Sequence, residues 1–284
     1  MEKARASTTA QGTAIMRAMH QMLDDEPKIL VDPVALRLIE PETFEAIRKV
    51  FEQLPPALSA RLRAMFVLRS RYAEDSLAES FKAGVRQYVI LGAGLDTFAF
   101  RQPPWAKQLS IFEVDYPATQ QWKRGRLEAA GISVPGNVRF VAVDFEGVTL
   151  SAGLSGAEFD LAAPAFFSLL GVSQYLSENA LDETLKLVLA MPASSEIVFT
   201  FVLRDEDLPE EEIRIAAMSA ASAAAGGEPW LTRFNPLRIE AKLRSMGFRN
   251  VIRLSPEDAY QRYFASRRDG LKTFVMEQMI RAIV

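Results

Sequence analysis

The sequence predicts an α/β protein: a mostly parallel sheet with helices on both faces, preceded by a helical N-terminal extension. Three observations predict it. No strand candidate precedes Gly84. Beyond it, short apolar runs alternate with helical periods, the pattern of crossover units. The first of those runs ends in Gly92-Ala93-Gly94, a turn of the kind glycine makes where backbone must pass close to something else.

In the first third, residues 13–23 carry Ile15, Met16, Met19, Met22 and Leu23 at a helical period. Asp32-Pro33 is a helix start, with Asp as cap and Pro at the first helical position. Apolar positions recur from Ala35 to Ile39 and from Phe44 to Leu54; Pro55-Pro56 breaks the run, and a further helix is expected over residues 57–82. Strands follow at 86–91, 109–114, 138–143, within 159–170, and at 196–203. Helices are expected after the glycine turn and over 117–130 and 178–191. Residues 205–225 read as an acidic helix start leading into an alanine-rich stretch, broken at Gly226-Gly227. Residues 236–246 form a helix stopped by Gly247. The runs at 248–254 and within 274–284 supply a sixth and a seventh strand, one of which could run antiparallel. One domain covers residues 1–284: an extension at 1–83, a cofactor-binding core at 84–204, a lid-like insertion at 205–235 and a sheet edge at 236–284.

Composition narrows the function. The chain of 284 residues is 49 % apolar and 24 % charged, an ordinary globular mixture. Thirty-three basic against 36 acidic residues leave no cationic excess for nucleic acid or an anionic membrane surface. With no cysteine and His20 as the one histidine, thiolate chemistry is excluded and a zinc site is not expected. Residues 1–11 are polar, and the longest nearly apolar stretch, 159–172, is shorter than a bilayer span. The expectation is a cytoplasmic enzyme or binding protein without a metal.

Three strand ends carry the candidate chemistry. Gly92 and Gly94 let backbone approach a ligand, or make a plain tight turn; a dinucleotide fingerprint would place a third glycine where Thr97 stands. Asp115 ends the second strand 21 positions after Gly94, where an acid that accepts from ribose hydroxyls is expected; the alternative is a solvated strand end. Asp144 and Phe145 end the third strand, as an acceptor and an apolar wall for an adenine or, for Asp144, as a helix cap.

Those residues, with Ser7-Thr8-Thr9-Ala10, Arg17-Ala18, Asp32-Pro33, Arg69-Ser70-Arg71, Leu91-Gly92-Ala93-Gly94-Leu95-Asp96-Thr97, Phe112-Glu113-Val114-Asp115-Tyr116-Pro117, Gly171-Val172-Ser173-Gln174-Tyr175-Leu176 and Gly227-Glu228-Pro229-Trp230, carry a resemblance. In that order they resemble the leucine carboxyl methyltransferase-like group of class I S-adenosylmethionine-dependent methyltransferases. The resemblance implies a Rossmann-like, seven-stranded sheet with S-adenosyl-L-methionine lying over Gly92 and Gly94. It implies Asp115 on the ribose, Asp144 and Phe145 at the adenine, Arg71 on the methionine carboxylate and Arg17 closing the same end. Where many relatives carry a glutamate, this chain has Leu170. The implied reaction is O-methylation of a small-molecule carboxylate or hydroxyl. A nicotinamide oxidoreductase on a similar sheet and a non-catalytic binder of the cofactor are the alternatives. No catalytic residue is nominated, and His20, beside Met19, reads as a packing residue.

Overall fold

The computed structural model describes residues 7–145 and 150–284; the first six residues of the polar stretch 1–11 lie outside them. Seven strands form one sheet in the order β3-β2-β1-β4-β5-β7-β6. They are β1 Gln87–Leu91, β2 Ser110–Asp115, β3 Val138–Ala142, β4 Ala165–Leu169, β5 Glu196–Val202, β6 Asn250–Leu254 and β7 Glu277–Ile283. The first five pair in parallel, and β7 lies antiparallel between β5 and β6. The expected antiparallel strand is therefore the last one, one place in from the edge.

Strand β1 is apolar almost throughout and buried along its whole length, because helices cover both faces of the sheet. Val89 and Leu91 face a core shared with Phe112, Phe167, Phe199 and Leu181 of helix α6 (Glu178–Leu189). Tyr88 and Ile90, pointing the other way, meet Val67, Leu68 and Tyr72 of helix α3 (Pro56–Lys82). The N-terminal extension adds α1 (Thr8–Leu23), capped by the Ser7 side chain, and α2 (Pro41–Glu52). Ile15, Met16 and Met19 of α1 pack with Phe44 of α2. The remaining helices are α4 (Pro117–Ala129), α5 (Leu150–Ser155), α7 (Glu210–Ala225), α8 (Pro236–Met246) and α9 (Pro256–Tyr263). Gly247 ends α8 at φ 116°, a left-handed position open to glycine at little cost.

Two expectations are corrected. The glycine turn does not lead into an α-helix: short 3-10 turns at Phe98–Phe100 and Pro104–Gln108 bridge to β2. Pro103 and Pro104 supply no N–H to continue a helix, so the chain stays irregular there. Asp32 does cap the segment after it, accepting from the N–H groups of Val34 (3.2 Å) and Ala35 (3.0 Å). What it caps is a 3-10 turn at Ala35–Leu38; the α-helix begins afresh at Pro41.

Candidate active site

The strand order reverses at β1, which sends the chain toward β2 and β3 on one side and β4 and β5 on the other. Open α/β sheets leave a crevice beyond the strand C-termini at such a point. Here it is a cavity of about 1070 Å³, whose floor includes Gly92, Gly94, Asp115, Asp144, Phe145 and Gly171. That volume sits at the top of the roughly 300–1,000 Å³ range of single-ligand pockets.

Gly92 (φ 67°) and Gly94 (φ 47°) both adopt left-handed backbone. A side chain on Gly92 would also strike Val172, and one on Gly94 would meet Ala10 of α1. The loop is braced from behind. Thr97, at the place of a third glycine, donates to Asp32 Oδ2 (2.6 Å) and accepts from Arg101 Nε (3.0 Å). Burial pushes the Asp32 carboxyl up, but Arg17 and Arg101 hold it below the usual carboxylate range. Arg17 lines the cavity while its guanidinium is engaged with Asp32 (3.2 Å) and the Leu95 carbonyl, so it fastens the loop.

Asp115 accepts from the backbone N–H groups of Gly94 and Tyr116. Burial nevertheless pushes its carboxyl up to about 6. Two positions earlier on the same strand, Glu113 meets Lys123 of α4 at 2.6 Å, with each side chain 1 % exposed. Burial raises the Glu113 carboxyl against the pull of Lys123. Glu113 thus supports the site from inside the core rather than facing the cavity.

The structure brings Gly92, Gly94, Asp115, Asp144, Phe145 and Arg17 to one cavity wall. It does not bring Arg71 there. Arg71 pairs with Asp75 (2.9 Å) and donates to the Ile29 carbonyl (3.3 Å), and its side chain is 44 % exposed. The reason is helical geometry: two residues along an α-helix turn a side chain about 200° around the axis. Arg69, on the opposite face of α3, is the arginine at the cavity. It donates to Glu277 Oε1 (3.1 Å) and Thr13 Oγ1 (3.3 Å) and lies where a side chain on Gly171 would be. The spacing of Leu58, Leu62, Met65, Phe66 and Arg69 along α3 was the available signal. Glu277 came with no such pattern. Arg71→Ala should therefore leave S-adenosylhomocysteine affinity within about twofold and stability within about 1 kcal/mol, as a part-exposed ion pair contributes little. Replacing Arg69 and Glu277 together by glutamine should weaken the same ligand about tenfold; calorimetry compares the two.

The roof comes from both ends of the chain. Glu228 accepts from the Thr9 N–H (3.1 Å) and the Thr9 hydroxyl. Trp230 and Leu231, with Ile215, Met218 and Ser222 of α7, complete the wall. The alanine-rich helix and the Glu228-Pro229-Trp230 segment thus border the cavity. Tyr175 lines it too, its phenol raised by burial, whereas Ser173 is buried and donates to the Thr200 carbonyl (2.6 Å). His20 is fully buried against Asp24 at 2.7 Å and is absent from the cavity wall.

Among solved structures, a "putative methyltransferase" from Thermobifida fusca YX superposes with a TM-score of 0.59 at 18 % identity, over 98 % of this chain and 95 % of its own. A "duf574 family protein" from Streptomyces avermitilis reaches 0.54 at 16 % identity, covering 98 % and 97 %. Strand order, cavity position and these likenesses define a class I methyltransferase fold. The family model for leucine carboxyl methyltransferase matches residues 10–189. Across 100 % of this chain and 99 % of its own length, the "Putative S-adenosyl-L-methionine-dependent methyltransferase YktD" of Bacillus subtilis (strain 168) is 35 % identical. A Mycolicibacterium paratuberculosis relative of the same description is 31 % identical over 69 % of this chain and 75 % of its own. The chain belongs to the leucine carboxyl methyltransferase family and is an S-adenosylmethionine-dependent enzyme. The nicotinamide alternative falls with that membership, and Thr97 is accounted for as the brace of the loop. No helix among the described residues is long and apolar enough to cross a membrane.

Proposed function

We propose that the protein methylates an oxygen of a small-molecule acceptor, with a carboxylate as the favoured nucleophile. The observation that carries this is a cavity of about 1070 Å³ with polar groups at the strand tips and an apolar lining beyond them, an arrangement that suits a cofactor with an acceptor beside it. The cofactor fits the polar part: two left-handed glycines give backbone access, and Asp115 supplies a buried acceptor. In this reading Asp115 accepts from the ribose hydroxyls, Asp144 and Phe145 frame the adenine, and Arg69 takes the amino-acid carboxylate in place of Arg71. Arg17 holds the glycine loop in position.

The bound cofactor supplies a methyl group on a sulfonium, open to in-line attack. The protein's part is to orient the acceptor and keep water away. A carboxylate, with a reference pKa near 4, needs no base at neutral pH. Away from the strand tips, the two carboxylates lining the cavity are already bonded, Glu228 to Thr9 and Glu277 to Arg69. Tyr175, raised by burial, keeps its proton and can donate a hydrogen bond. Those pairings favour an acceptor that arrives ionised over a hydroxyl that must be deprotonated. Transfer of label from methyl-labelled cofactor to a panel of carboxylic acids, with the matching alcohols as controls, tests this. Label on the alcohols alone refutes the carboxylate reading.

Cofactor affinity should also depend on pH. The ribose hydroxyls need the ionised form of Asp115, whose carboxyl lies at about 6. Protonation removes that acceptor, so affinity falls as pH drops through this value and levels off above it. S-adenosylhomocysteine should bind about tenfold more weakly at pH 5 than at pH 8, with proton release on binding at the lower pH. A flat profile in calorimetry would detach Asp115 from the ligand.

A further inference from the structure

We propose that the acceptor is an elongated molecule with a largely hydrocarbon body, lying along α3 with its methylated end beside Arg69 and its tail toward Leu58. This rests on the reading of the cavity as cofactor site plus acceptor site, and goes on to name the acceptor's class and direction.

Six residues of α3 line the cavity, and five of them form a row: Leu58, Leu62, Met65, Phe66 and Arg69, with Ser70 beside the last. From the first to the last is eleven residues, about 16 Å at the α-helical rise of 1.5 Å. The cationic end of this row lies against Gly171, just beyond the tip of β4. The four positions before it are hydrocarbon or thioether. The same cavity is lined by Phe51 and Leu54 of α2 and its following turn, and by Ile215 and Met218 of α7. Three helical elements thus give this part of the cavity a mostly apolar lining, broken on α7 by Ser219 and Ser222, along about three turns of α3 that end in a cation.

Charge in this part of the cavity is balanced internally. Arg69 and Glu277 neutralise one another at 3.1 Å, and both are more than nine-tenths buried. A body rich in hydroxyls or charges would lose its water against Leu58, Leu62 and Phe51 without gaining partners, a loss of free energy for each group. A hydrocarbon body gains from the same burial. The outer lip is apolar as well: Val50 is 59 % exposed and Met218 52 %, and both line the cavity. Such side chains at a rim suit a ligand whose methylated end goes in first and whose hydrocarbon tail then rests against the apolar lip.

Straight-chain carboxylates serve as probes. Calorimetry on protein saturated with S-adenosylhomocysteine compares butanoate, octanoate and dodecanoate with glucuronate and the fused-ring acid anthracene-2-carboxylate. Affinity should rise along the alkanoate series by up to about fourfold per methylene, which corresponds to about 0.8 kcal/mol per buried group. Leu58→Trp, which fills the outer end, should weaken dodecanoate at least tenfold and leave butanoate unchanged. Met218→Lys, at an exposed position, should act in the same sense if the first variant does not fold. No gain with chain length, glucuronate binding as tightly as octanoate, or anthracene-2-carboxylate binding more tightly than dodecanoate would overturn the proposal. So would unchanged dodecanoate affinity in the folded variants. The heat of S-adenosylhomocysteine binding is measured first. Its absence would sink the cofactor-site reading, whereas its presence with a flat alkanoate series sinks the acceptor proposal alone.

Discussion

Lys123→Met should lower the unfolding free energy by about 3–5 kcal/mol, the usual loss when one member of a buried ion pair is removed. Lys123 and Glu113 are each 1 % exposed and meet at 2.6 Å. Neither head group has another hydrogen-bonding partner among the described residues. Without the ammonium, Glu113 must bury an unpaired carboxylate or remain protonated. Its carboxyl is already raised by burial, and the variant raises it further. A raised acid gives stability that is complete below the unfolded-state value near 4.3 and lost as pH climbs through the folded-state value. The deficit should therefore be larger at pH 8 than at pH 6. Adding Glu113→Leu should restore most of it, since an apolar pair of similar volume is often as stable as the ion pair. Urea denaturation of the single and double variants gives both numbers. A loss below about 1 kcal/mol would mean that water reaches the pair.

Asp115→Ala should weaken S-adenosylhomocysteine by about 2–3 kcal/mol, a loss of roughly 30- to 150-fold, because ligand hydroxyls lose an ionised acceptor. Asp115→Asn retains the shape but offers one acceptor oxygen and a neutral amide, and should recover part of the loss. The Gly94 and Tyr116 N–H groups also lose their acceptor in Asp115→Ala. The free protein should then become less stable as well, and thermal denaturation separates that effect from the ligand's. Full affinity in a folded Asp115→Ala protein would remove the ribose assignment.

Much of this architecture was written in local pattern. Strands β1, β2, β4 and β5 are short apolar runs bounded by turns or proline, and their burial on both faces leaves few other readings. The tips followed from composition, since a glycine turn and two acids fall where those runs stop. What escaped depends on rotation or on distant partners. The choice between Arg69 and Arg71 is a matter of helical phase, and motif order carries none. Lys123 looks like a surface residue of α4 until the fold sets it over Glu113. The helix expected to join the last two strands is α9; only its bounds escaped, although Ser255-Pro256-Glu257-Asp258 is a full start signal, with a cap bond from Asp258 N–H to Ser255 Oγ at 3.0 Å. Its eight residues bury only Ala259, which leaves almost no apolar period to detect.

The strand order also constrains biosynthesis. β7 is translated after β6, yet it lies between β6 and β5. While the ribosome is still making residues 255–276, β5 has one unfilled edge and β6 has no neighbour to hold it. Exposed edges of that kind invite pairing with other chains. The nascent polypeptide therefore carries these open edges until late, and the arrival of one seven-residue segment both joins β6 to β5 and delivers Glu277 to Arg69.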